Sequence, residues 1–259
     1  MDAHMLTRRA TLGLAGSALA LGLMVRAARG EPASATPTSA SKIRIHDADE
    51  TLRDYCEWDG TCWWLTLPSG TRFELIGSTH DPAILNPGDG EFHPFDAAEV
   101  RAALAAVRYP LEGVACEIFL LPYPRRFGLD SAADRELILL SPGVRSLSPE
   151  RQHAEVVHEL GHVMHLARLP DHDLAGWANY RGMRGIADAQ TYAPDAPHAN
   201  RPHEIFAEDF RVLFGGALAV RDGAIENAAI APPAAVVGLE GFLLGLSGVV
   251  FDRLAAART

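Results

Sequence analysis

Short apolar runs punctuated by turn residues dominate the first half of the chain; apolar positions three and four apart dominate the second. Thr61-Cys62-Trp63-Trp64-Leu65-Thr66-Leu67 and Thr71-Arg72-Phe73-Glu74-Leu75-Ile76 flank Pro68-Ser69-Gly70, so residues 58–76 read as a β-hairpin. Residues 95–107 are Ala-rich with helical spacing and end at Tyr109-Pro110. Residues 114–121 and 135–140 read as strands, the second closed by Ser141-Pro142-Gly143. The longest periodic segment follows. Ser148 is placed to cap a helix, Pro149 suits its first position, and Glu150 complements the positive end of the dipole. That helix runs to about Leu169, where Pro170 stops it. Ile205, Phe206, Phe210, Leu213 and Phe214 recur at helical spacing and mark a second amphipathic helix. Residues 236–251 are strongly apolar but hold Glu240 and several glycines, which suits a buried helix better than a membrane span. No internal repeat is visible.

The first of these helices carries His158-Glu159-Leu160-Gly161-His162 between Val156-Val157 and Val163-Met164. Residues four apart share a helix face, so the two imidazoles can hold one zinc ion and Glu159 can lie beside the water it activates. Gly161 weakens the helix, which points to a close approach by another backbone or by the metal site. A catalytic zinc needs a third protein ligand and an open fourth position. A histidine six residues after the second ligand, with glycine midway, is one solution; Arg168 and His165 occupy those positions and exclude it. His165 lies too far along the helix to share the ion with His158 and reads as a surface histidine or one behind the ligands. The remaining source is an acid on the second helix, where Glu204 and Glu208 form an i,i+4 pair. Like charges so placed repel unless a cation lies beside them. Glu204 is the candidate ligand and Glu208 the candidate to orient a ligand histidine from behind; a solvated acidic face is the alternative.

Together, His-Glu-Leu-Gly-His and Glu204-Ile205-Phe206-Ala207-Glu208-Asp209-Phe210 resemble the gluzincin metallopeptidases, and more narrowly the catalytic domain of anthrax lethal factor and the Pro-Pro endopeptidases. In that group the second motif reads Glu-Phe-Phe-Ala-Glu-x-Phe. The resemblance covers roughly residues 135–215 and implies Glu204 as zinc ligand and Glu208 as its supporting acid. It also implies a tyrosine that faces the substrate carbonyl from a few residues before the third ligand. Tyr192 is the counterpart, twelve residues upstream, with Tyr180 in reserve and a packing role as the alternative. The implied fold is α+β: a zincin-like metallopeptidase domain over residues 43–259 with a small mixed sheet, an active-site helix and a mainly helical lower lobe. The upper lobe would span residues 43–169 and the lower lobe 170–259. By the same resemblance the strand at 135–140 is an edge strand that lines the cleft and pairs with an extended peptide. The implied activity is a metalloendopeptidase with one Zn2+ ion and a peptide or protein substrate. A zinc-stabilised exported module that binds peptides without cleaving them is the alternative function; cleavage of cell-wall peptide crosslinks is a third reading with the same chemistry.

The N-terminus changes the picture of location. Arg8-Arg9 precede a mild, Gly- and Ala-rich apolar run, so residues 1–29 read as a twin-arginine signal peptide. Residues 30–42 read as a flexible linker. The expected location is periplasmic or secreted, with no membrane attachment after signal cleavage. Without residues 1–29 the 23 basic and 33 acidic residues become 19 and 32, a net charge of −13. Such a surface repels nucleic acid and anionic lipid. Cys56 and Cys62 are close enough in sequence to bridge a hairpin, or all three cysteines, with Cys116, are buried thiols. Asp171-His172-Asp173 reads as a polar turn, and His198 and His203 as solvated loop histidines.

Overall fold

The computed structural model describes residues 42–221 and 223–248. The expected signal peptide at 1–29, nearly all of the expected linker at 30–42 and the end of the apolar segment at 236–251 lie outside the described residues.

The fold is mixed α+β, with seven α-helices and two small sheets among the described residues. In chain order the elements are β1 (Lys42–His46), α1 (Ala48–Tyr55), β2 (Cys56–Trp58), β3 (Trp63–Thr66), β4 (Arg72–Leu75), α2 (Ala97–Ala105), β5 (Ala115–Leu120), β6 (Ala132–Asp134) and β7 (Leu137–Leu140). Then come α3 (Pro149–Arg168), α4 (Leu174–Arg184), α5 (Pro202–Phe214), α6 (Ala217–Val220) and α7 (Leu239–Gly245). All the regular structure after Pro170 is helical among the described residues. None of these helices is long and apolar enough to cross a membrane.

Four strands form a sheet in the order β1-β5-β7-β6, parallel except for β6, and β2-β3-β4 form a separate antiparallel sheet. Alternation along β5 and β7 explains the layers. Ile118, Leu120, Ile138 and Leu140 enter the main core with Val156, Val157, Leu160, Phe206 and Phe210 from the helices. Phe119, Leu121 and Leu139, on the opposite face, meet Leu65, Leu67 and Leu75 of the smaller sheet region. Burial on both faces is why β7 reads as the unbroken run Leu-Ile-Leu-Leu.

That burial also corrects the expected edge strand. β7 lies inside the sheet between β5 and β6, and the antiparallel edge is β6, which packs beside α3. Ala132-Ala133-Asp134 is too short and too poor in large side chains to show a strand pattern. The hairpin of β3 and β4 forms as expected, with Leu67 closing the turn onto Gly70 and Thr71, while β2 adds on its other side. Cys56 pairs opposite Leu65, three residues, or roughly 10 Å of strand, from Cys62. A disulfide needs Cα atoms within about 7 Å, so the two do not bridge, and all three cysteines are free thiols.

Helix α3 has the predicted ends. The Ser148 side chain accepts a hydrogen bond from Arg151 N, Pro149 opens the helix, and Leu169 caps it. Its apolar face buries Val156, Val157, Leu160, Val163 and Met164, each worth about 1.5–3 kcal/mol. His153 Nε2 bonds Glu99 Oε2 (2.9 Å) and anchors this helix to α2.

Candidate metal centre

Helix α3 places His158 and His162 one turn apart on one face, and α5 crosses it where Gly161 leaves room. A Cβ at Gly161 would lie 2.8 Å from Ala207 Cα and 3.0 Å from Ala207 O. The backbone approach expected from the sequence is therefore that of α5, and it carries Glu204, one turn before Ala207, up to the imidazoles. His162 Nε2 lies 3.2 Å from His158 Nε2 and 3.1 Å from Glu204 Oε2. His158 Nε2 lies 3.3 Å from the same carboxylate oxygen.

A triangle of donors with edges of this length is what roughly tetrahedral ligands about 2.0–2.1 Å from one zinc ion form. The two rings are nearly perpendicular, at 80°, and both Nε2 atoms face the same Glu204 oxygen. His158 Nδ1 is engaged by Glu208 Oε1 at 2.9 Å, which assigns the hydrogen to Nδ1 and leaves the Nε2 lone pair for the ion. Two imidazoles and one carboxylate are a zinc donor set. On donor type and spacing, the residues present fit the ion.

The electrostatics point the same way. Burial works to lower the His158 pKa but is outweighed by Glu204 and Glu208, which hold it up at about 10. Burial also opposes ionisation of Glu204 and Glu208; His158 and His162 nevertheless hold Glu204 far below the usual carboxylate range, and His158 with Arg211 holds Glu208 at about 2. The carboxylates that favour positive charge on His158 also favour a cation among the donors, Glu204 directly and Glu208 through the His158 ring. Glu159 differs. It is buried, its Oε2 has no hydrogen-bond partner, and burial raises its pKa despite the two histidines. A carboxylate with an unengaged oxygen and a raised pKa is equipped to take a proton.

The tyrosines fall differently. Tyr180 is fully buried and donates to Asp209 Oδ2 (2.8 Å), while Arg184 Nε bonds the same carboxylate at 2.9 Å; it is a packing residue and cannot reach a substrate. Tyr192 is half-buried against the main core, and its carbonyl accepts from Arg181. A side chain read as solvated reaches the cluster instead. His198 Nε2 lies 3.3 Å from Glu204 Oε2, and its Nδ1 lies 2.6 Å from Glu226 Oε2. Its place six residues before Glu204 is the one local hint; proximity to Pro197 and the polar turn hides it.

A second group of donors lies farther along the same helices. His165 Nε2 is 3.3 Å, and His203 Nε2 3.2 Å, from Asp171 Oδ1. His165 is not at the surface: it is 3 % exposed. His203 stands in the first turn of α5 rather than in a loop. Asp173, in the polar turn as expected, caps α4 through Gly176 N (2.9 Å). The His165 and His203 rings stack at 17°, with centroids 4.3 Å apart. Both Nε2 atoms thus face one oxygen of Asp171 from stacked rings, an arrangement that two hydrogen bonds to the carboxylate account for.

Comparison of the chain with protein-family models, with curated proteins and with solved structures gives no match.

Proposed function

We propose that the chain is a zinc-dependent endopeptidase of zincin-like architecture, exported to the periplasm or secreted. The observation that supports this best is the convergence of His158, His162 and Glu204, from two helices, to mutual distances of 3.1–3.3 Å beside the buried, unengaged carboxylate of Glu159. These three residues would hold one zinc ion, which supplies acidification of water and polarisation of a peptide carbonyl. Glu159 takes the proton of the attacking water and delivers it to the leaving amine. Glu208 keeps the His158 ring in its ligand orientation. Two side chains are candidates to donate to the carbonyl oxygen: Tyr192 through the family resemblance, and His198 through its contact with Glu204. The lobes would meet across α3, and β6 offers the extended peptide an antiparallel edge to pair with.

Glu159→Gln tests the reading directly. The variant is expected to keep one zinc per chain and to lose about 10²–10⁴-fold in turnover of a quenched peptide library, with chelator abolishing wild-type cleavage. Cleavage by the variant at the wild-type rate sinks the mechanism.

A further inference from the structure

Glu208 holds His158, and something must hold Glu208. A glutamate side chain has several rotatable bonds, and a loose one would let the imidazole turn away from the ion. Its carboxylate is fully engaged. Oε1 accepts from His158 Nδ1 and from Arg211 Nε, both at 2.9 Å. Oε2 accepts from Arg211 Nη2 at 2.7 Å and from the Glu226 amide at 3.2 Å. The guanidinium therefore grips both oxygens in a planar fork, which fixes the plane of the carboxylate as well as its position.

Arg211 is itself immobilised. Only 6 % of it is exposed. Nη1 donates to Ala219 O (2.6 Å) and Nη2 to Ala224 O (2.7 Å). Its remaining bonds thus run to the chain segment that follows α5. Four of the five guanidinium hydrogens have acceptors, so neither the fork nor the carboxylate can rotate without losing hydrogen bonds in a poorly hydrated site.

We infer that Arg211 is a positioning residue of the metal centre: it sets the Glu208 carboxylate, and through it the ring of His158. The inference rests on the reading of His158, His162 and Glu204 as ligands, and it adds a residue outside both sequence motifs. A mere ion pair within α5 would stabilise the fold without influencing the ion. A positioning residue changes metal binding, and does so only while Glu208 is present to transmit the effect.

The experiment is a double-mutant cycle on the full chain. Zinc affinity is measured by chelator competition, and ligand geometry by the visible absorption of the cobalt(II)-loaded protein, in wild type, Arg211→Lys, Glu208→Gln and the double variant. Lysine keeps the charge and loses the fork; Arg211→Met serves if the lysine variant folds poorly. Each single change is expected to weaken zinc about 10–100-fold and to alter the cobalt bands, and the double variant to be no worse than the weaker single. Affinity within twofold of wild type and an unchanged cobalt spectrum in Arg211→Lys and Arg211→Met overturn the inference, as do losses that simply add. Zinc retained by Glu204→Ala defeats the ligand assignment instead, so the two failures are distinguishable.

Discussion

Helices α3 and α5, with the turn after α3 that supplies Asp171, form two histidine–carboxylate clusters side by side. In one, His158 and His162 meet Glu204; in the next, His165 and His203 meet Asp171. Both place two Nε2 atoms within about hydrogen-bonding reach of one carboxylate oxygen, at 3.1–3.3 Å. They differ in ring orientation, 80° against 17°, and in what stands behind the rings. His158 Nδ1 has Glu208 behind it, whereas His165 Nδ1 is buried with no partner. Composition and proximity are therefore shared by the two clusters, and the support behind the rings is what separates them. The far nitrogen of a ligand histidine is ordinarily held by an acceptor that sets its tautomer.

The largest expected contrast follows from that difference. Glu204→Ala should lower zinc affinity by orders of magnitude, whereas Asp171→Ala should leave the chain with one zinc at near wild-type affinity, by metal analysis after dialysis against a buffered chelator. Equal losses in both variants would make the clusters one functional unit.

The second contrast is in pH dependence. His165 is buried, faces His203, Asp171 and His162, and has its pKa pulled down to about 4: burial is the main cause, His203 and His162 add to it, and Asp171 opposes. Between the ordinary histidine pKa and that value the unfolded chain binds the proton that the native chain refuses, so stability falls as pH falls. The contribution is fully present above about pH 6.5 and is lost progressively toward pH 4. Its size is on the order of 3 kcal/mol. His165→Phe should flatten this part of the pH profile in urea denaturation; an unchanged slope would place the acid sensitivity elsewhere.

The smallest expected effect tests the packing beneath both clusters. Gly161→Ala gains about 1 kcal/mol of helix propensity but drives a methyl group to 2.8 Å from Ala207 Cα. Overpacking of about 1–3 kcal/mol should win, lowering Tm by roughly 2–4 °C per kcal/mol and loosening Glu204 from the histidines. A rise in Tm with unchanged zinc affinity would show that α5 can give way without cost.

The legible part of this chain was local. Ser148, Pro149 and Pro170 delimit α3 because caps and prolines act within one helical turn. His158, Glu159 and His162 share a face because of helix geometry alone, and Glu204 with Glu208 likewise on α5. The hairpin around Pro68-Ser69-Gly70 follows from turn chemistry. Strand β6 was illegible because three small residues carry no period. The Cys56–Cys62 bridge looked possible because separation in sequence says nothing of register, which the pairing of Cys56 with Leu65 decides.

Residue order alone dictates which donors stand on which helix face, because that depends on bonds between neighbours a few positions apart. Packing settles whether those faces meet, and at what angle the rings arrive: the backbone of α5 comes up against α3 at Gly161, which omits a side chain there. The burial of His165, the approach of His198 to Glu204 and the grip of Arg211 on Glu208 join helices and loops through space. Contacts of that kind are set by the close fit of whole elements, which no local rule of spacing contains.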